Sequence, residues 1–179
     1  MTSLSVDTHR CDAEPPAVDP DTFRDVVGRF ATGITIVTTV DVDGQPAGFT
    51  CQAFMSLSTE PPRIVIAPGR ESVTWEKISR SRSFCVNILG DSHEPVARRF
   101  ARRDNHKFDD VDWSRSDATG SPVLGAAAAW LDCSLGDVFD LGDHCLAVGV
   151  VREVAIGAHR TPLIYFRGGF MPPAQPVGD

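Results

Sequence analysis

Apolar side chains first recur with a helical period: Phe23, Val26, Val27 and Phe30 share one face, so residues 21–31 read as a helix. That face is read as packing. Asp19 or Asp21 caps the start, Pro20 suits the first turn, and Gly33 ends it. The period then shortens. Residues 34–42, ITIVTTVDV, are rich in β-branched side chains and predict a strand. Asp43-Gly44 is a hairpin signal, and a return strand over 47–54 runs into a Ser/Thr-rich loop ending at Pro61-Pro62. Residues 63–67 (RIVIA) predict a buried strand, broken by Pro68-Gly69. Ser72 opens a short helix, with Val73, Trp75 and Ile78 facing the core. Residues 84–89 (FCVNIL) predict a fourth strand, whose Asn87 is either a satisfied buried amide or a ligand contact. Ser92 caps a helix over 92–103 with Val96, Ala97, Phe100 and Ala101 on its apolar face. Residues 104–123 read as a long surface excursion around Trp113. Strands over 128–138 and 145–156, joined through 140–143, precede a last strand at 163–166. About seven hairpin-linked strands and three short helices predict a mainly β chain, an antiparallel barrel with peripheral helices.

Composition narrows the class. The 179 residues suit one domain, expected over 20–171, with a flexible leader over 1–19 and a loose tail over 172–179. A net charge of −7 argues against nucleic acid as a partner. One basic cluster stands out in this acidic chain: Arg98, Arg99, Arg102, Arg103 and Lys107; the arginines of the 92–103 helix are either a solvated face or a phosphate or adenine contact. No apolar run is long enough for a membrane span and no signal-peptide core opens the chain, so a cytoplasmic protein is expected. Five cysteines without CxxC spacing fit reduced thiols.

Motifs for several chemistries are missing. There is no GxSxG elbow, no GxGxxG and no P-loop, and His144, Cys145 and Cys133 lack metal-ligand spacing, so no metal is expected. What remains is the stretch 48–62, GFTCQAFMSLSTEPP. Its Thr50, Cys51, Gln52, Ser56 and Ser58 put donors and acceptors along an extended segment. Such an edge suits a planar, polar heterocycle carrying a phosphate; it also suits a plain exposed edge strand. The turn before Ser72 leads into a helix start that could take an anion. His144, beside Asp143 at a hairpin mouth, is either a satisfied surface residue or a contact for a nicotinamide or substrate. Residue chemistry alone stops at a β-barrel with one polar pocket.

A set of motifs in order goes further: FRDVVGRFATGITIVTT at 23–39, the 48–62 stretch, FCVNIL at 84–89, RRFA and KF at 98–101 and 107–108, GSPVL at 120–124, AWLDC at 129–133, GDH at 142–144 and YFRGGF at 165–170. Over about residues 20–171 the chain resembles the flavin reductase family of the FMN-binding split barrel, the reductase component of two-component flavin-dependent monooxygenases. The resemblance implies an antiparallel split β-barrel and an NAD(P)H:flavin oxidoreductase that supplies reduced FMN or FAD to a partner oxygenase. It places Thr50, Cys51, Gln52, Ala53 and Phe54 along the flavin ring and ribityl chain, and Ser56 and Leu57 near the phosphate end. Glu71, Ser72 and Val73, with Lys77 beyond, match a second group of flavin contacts, and Arg103 a contact near the phosphates. His144 and the turn Tyr165, Phe166, Arg167, Gly168 match positions that receive NADH or NADPH.

Many relatives carry Asn-Ser where this chain has Gln52-Ala53; Gln reaches further, and Ala53 brings no hydroxyl. The Cys51-Gln52 pair is most like reductases serving aromatic-ring or steroid-ring hydroxylases. The implied reaction is hydride transfer from nicotinamide C4 to flavin N5, the cofactors carrying the chemistry. Backbone N–H groups near 50–53 would stabilise negative charge on the reduced ring, and His144 would orient the nicotinamide. The family resemblance also implies a homodimer with flavin near the subunit boundary. The alternative is a non-catalytic flavin sensor or carrier on the same fold, which has no need of GDH or YFRGG. An oxidase of a phosphorylated vitamer ranks lower because its motifs are missing.

Overall fold

The computed structural model describes residues 18–104, 106–125, 127–158 and 161–171. Residues 1–17 of the expected leader and the tail at 172–179 lie outside the described residues. In chain order, helix α1 (Pro20–Val27) precedes β1 (Thr32–Gly33), β2 (Thr35–Val40), β3 (Pro46–Cys51), β4 (Phe54–Thr59) and β5 (Pro62–Ile66). Helix α2 (Val73–Ser81), β6 (Ser83–Leu89), a 3-10 turn at Asp91–His93 and helix α3 (Glu94–Phe100) follow. Then come β7 (Trp113–Arg115), β8 (Pro122–Leu124), the long pair β9 (Ala127–Leu141) and β10 (His144–Ile156), β11 (Ile164–Phe166) and β12 (Gly169–Phe170).

Seven strands form the main sheet in the order β3-β2-β6-β9-β10-β5-β4, every neighbouring pair antiparallel. Its two edges, β3 and β4, are consecutive in the chain and separated only by Gln52 and Ala53. Six strand spacings in a flat sheet would hold them about 29 Å apart. The link from Cys51 to Phe54 reaches about 10 Å at most. The sheet is therefore rolled until its edges meet at 52–53, and it stays unpaired along the rest of the seam: a split barrel. Antiparallel order makes the first and seventh strands run the same way, so β3 and β4 are one strand bent across the opening.

Two cores follow from the strand alternation. Val37, Ile64, Ile66, Phe84, Val86, Cys133 and Ala147 fill the barrel, with Trp75 and Ile78 of α2 packed among them. Ile36, Leu89, Leu124 and Leu163 make a second core on the outer face under Ala97 and Phe100 of α3. Both helices thus touch β3, one on each side of the sheet.

Several expectations are corrected. Helix α1 stops at Val27, not at 31, because Gly28 caps it and its carbonyl accepts the Arg167 N–H at 2.9 Å. Its apolar face finds no cover among the described residues: Phe23, Val26, Val27 and Phe30 are all exposed, Phe30 by 78%. The Ser/Thr-rich loop is strand β4, paired to β5 with a register shift between Ser56 and Ser58. Val73 points to solvent, while Trp75 and Ile78 are buried as expected. The helix over 92–103 is shorter: α3 covers Glu94–Phe100 and Ser92 lies in the 3-10 turn. The excursion over 104–123 includes β7, which pairs with β8. Besides the seven strands of the main sheet, five short ones form two small sheets. Asn87 is a satisfied core amide: it donates to the Ile36 carbonyl and Thr38 Oγ1, and accepts the Leu124 N–H at 2.8 Å.

Candidate functional site

One large groove, about 1420 Å³, opens over β3. Its floor is β3, and its walls are the turn into α2, the end of α3 with residues 101–104 and 107–109, and the tip of the β9–β10 hairpin. The volume exceeds that of a site for one drug-sized ligand.

Local sequence builds each wall. Pro68-Gly69 stops β5, and Ser72 then caps α2, its Oγ accepting the Trp75 N–H at 3.3 Å. The N–H groups of Val73 and Thr74 in the first turn have no helical partner, as at any helix start. Gly142 (φ 63°) makes the tight turn that sets His144 at the head of β10. There His144 pairs with Gly69 as a β-bridge, and the Cys145 N–H donates to the Pro68 carbonyl at 2.9 Å. His144 Nδ1 lies 2.7 Å from Asp143 Oδ1, and this contact holds the Asp143 carboxyl below its ordinary value. Gly69 is not crowded: a Cβ there would meet nothing nearer than His144 Nε2, at 4.0 Å.

The β3 floor is clamped through Gly48. Its carbonyl accepts Thr74 Oγ1 at 3.3 Å and Lys107 Nζ at 3.0 Å. Thr50 Oγ1 donates to the Ala97 carbonyl at 2.6 Å, tying α3 to the same strand. Lys77 of α2 is 2.9 Å from Asp41 in the β2–β3 turn. Its ammonium, together with a backbone bond to Gln45, lowers the Asp41 pKa.

Of the residues the sequence proposes, Thr50, Glu71, Ser72, Val73, Lys77, Arg103 and His144 line the groove. Cys51 follows Thr50 but turns into the barrel core. Burial pushes its thiol up to about 11, so what it offers a ligand is backbone. Gln52, Ala53, Phe54, Ser56 and Leu57 continue along the seam, off the groove and largely exposed. Tyr165, Phe166, Arg167 and Gly168 form the β11–β12 hairpin beside α1 and also lie outside the groove of this chain. Asp41, Gly48, Arg70, Thr74 and Lys107 line it and were not proposed as site residues. In the sequence Lys107 stands out only as a member of the basic cluster and of the KF motif at 107–108. No group of three or more metal-ligating side chains exists among the described residues.

A family model for the flavin reductase like domain matches residues 27–174. The chain belongs to the flavin reductase family. It is 45% identical over 154 residues to the reductase subunit HsaB of a flavin-dependent monooxygenase from Rhodococcus jostii (strain RHA1), covering 86% of this chain and 78% of the relative. The crystal structure of a nitrilotriacetate monooxygenase component B homologue from Mycobacterium thermoresistibile superposes with a TM-score of 0.83 at 40% identity, over 89% of this chain and 88% of that one. An NADH:FAD oxidoreductase from Streptomyces globisporus C-1027, solved with NAD and FAD fragments, gives 0.83 at 31% identity, over 92% and 100% of the chains. The split-barrel expectation drawn from the residue motifs is met by these neighbours.

The groove fits a flavin on its own chemistry. An extended floor with polar rims suits a flat ring system, and three cations with no carboxylate in ion-pair contact among the described residues, Arg102, Arg103 and Lys107, line the stretch after α3.

Proposed function

We propose that the groove binds FMN or FAD against β3 and admits NADH or NADPH beside His144, making the chain the reductase component that feeds reduced flavin to an oxygenase. The bound flavin supplies the capacity to accept a hydride from the nicotinamide and later to give up electrons elsewhere. The chain's own residues hold and orient. Thr50 and Gly48 fix the floor through α3, α2 and Lys107. His144, with Nδ1 engaged by Asp143, keeps Nε2 for the groove, where it orients a ring or carboxamide. No side chain needs to act as a nucleophile. Among the described residues no helix is long and apolar enough to cross a membrane.

The carrying observation is that Thr50, Glu71–Val73, Arg103 and His144 converge on one groove from four separate stretches of chain. The test is the decay of NADH absorbance with purified protein, with and without FMN or FAD. His144→Ala should lower turnover at least about ten-fold while flavin affinity stays within about two-fold. Flavin binding without any NADH oxidation by the wild type would make the protein a carrier instead.

A homodimer belongs to the same reading. Seam residues 52–57 and the 165–168 turn, matched to cofactor contacts by resemblance, lie off the groove of one chain. A second copy would bring them to it. The apolar face of α1, open to solvent in the single chain, is a surface suited to that contact.

A further inference from the structure

Two lysines line the groove, and the chain treats them differently. The Lys77 ammonium is 2.9 Å from the Asp41 carboxylate, whose side chain is only 12% exposed. Its charge is already neutralised inside the protein. Lys107 is half-buried and donates to one neutral acceptor, the Gly48 carbonyl, at 3.0 Å. Among the described residues no carboxylate stands within ion-pair distance of it. Burial lowers its pKa, and the charge of Asp104, acting at longer range, only opposes that shift.

A desolvated ammonium without a counter-ion is costly unless something pairs with it. The position of Lys107 is also fixed. The next residue, Phe108, packs edge-on between Phe100 and Trp113, with ring centroids 5.0 and 5.7 Å away. The Gly48 carbonyl that holds the ammonium also accepts the Thr74 hydroxyl, so the charge sits beside the first turn of α2 and over the β3 floor. That is a held cation facing the space where the ligand lies. We infer that Lys107, and not Lys77, is the groove lysine that pairs with the phosphate of the bound flavin. The inference rests on the flavin reading of the groove and names the phosphate contact within it.

FMN and riboflavin differ by the phosphate alone, so their affinity ratio isolates this contact. Dissociation constants for both are read from flavin fluorescence quenching with the wild type, Lys107→Met, Lys107→Arg and Lys77→Met, with thermal melts to check folding. Lys107→Met should weaken FMN about ten-fold or more, the size of a lost charge-assisted hydrogen bond, and leave riboflavin within about two-fold. Lys107→Arg should restore most of the FMN affinity, which a merely structural role for the Gly48 bond would not require. Lys77→Met should leave the ratio unchanged. Equal loss of both ligands in Lys107→Met, no loss of either, or a changed ratio in Lys77→Met would overturn the assignment. Wild type that binds neither flavin would instead overturn the reading of the groove, and the Lys107 contact with it.

Discussion

Gly48 does two things at once, and the second of them requires glycine. Its carbonyl gathers Thr74 and Lys107, and its missing side chain lets the Phe100 ring lie flat against β3. A Cβ at 48 would stand 2.7 Å from Phe100 Cε1 and 3.2 Å from Thr38 Cγ2. Phe100 is fully buried beneath α3, so its ring has nowhere to swing. Gly48→Ala should therefore cost about 1–3 kcal/mol of stability by overpacking, read as a lower denaturant midpoint, and should weaken flavin binding as the floor shifts. Gly69→Ala is the control: its new methyl would meet nothing nearer than His144 Nε2 at 4.0 Å, so stability should hold within about 0.5 kcal/mol. If both variants melt alike, the close approach at Gly48 is not what selects glycine there.

At the level of elements, what could be read in advance was whatever short stretches decide for themselves. β2, β5 and β6 announce themselves by β-branched runs, and α2 by the Ser72 cap, because those signals are local. β4 was read as a loop because Ser and Thr dominate it; pairing with β5 makes it a strand despite that. The meeting of β3 and β4 follows from the order of seven strands, which no local pattern contains. Lys107 escaped notice as a site residue for the same reason, since its acceptor lies 59 residues earlier. The periodicity of α1 says that one face is sheltered, not what shelters it. The Lys77–Asp41 pair is another such long-range tie, fastening α2 to the β2–β3 turn beside the groove. Asp41 is held below its ordinary 3.8, first by the Lys77 hydrogen bond and then by the Gln45 N–H. A lowered native pKa means the unfolded chain binds the proton first. The tie's stabilisation is thus full above 3.8 and lost as pH falls through the native value. Asp41→Asn should lower the thermal midpoint near neutral pH by about 2 °C, as suits a partly exposed pair. Thermal melts across acid pH should show the gap to wild type closing below 3.8; a gap that persists would mean that Asp41 acts by accepting the Asp43 and Gln45 backbone N–H groups rather than through its charge.

Taken whole, the chain keeps apart two sets of features that the proposed function joins. The groove over β3 carries His144, Thr50 and the cations. The β11–β12 hairpin, with Arg167 (φ 49°) and Gly168 (φ 80°) at its tip, sits beside α1 and faces elsewhere. α1 itself presents Phe23, Val26, Val27 and Phe30 to water, four large apolar side chains on one short helix and the turn after it. A monomer gains nothing from that exposure, and its own two cores are complete without it. A second copy packed on α1 would shelter the face and move a hairpin neighbouring it toward a groove, which joins the apolar surface and the divided site in one arrangement. Phe23→Asp with Phe30→Asp tests this directly. Both side chains are mostly exposed in the single chain, so the fold should survive, as judged by an unchanged far-ultraviolet circular dichroism spectrum. Sedimentation velocity should then show a monomer in place of the dimer proposed for the wild type, and on that proposal NADH oxidation should fall at least about ten-fold as the partner's hairpin is lost. A dimer that persists would put the interface elsewhere. A monomer with full turnover would mean that one chain holds the whole site and that α1 serves assembly alone.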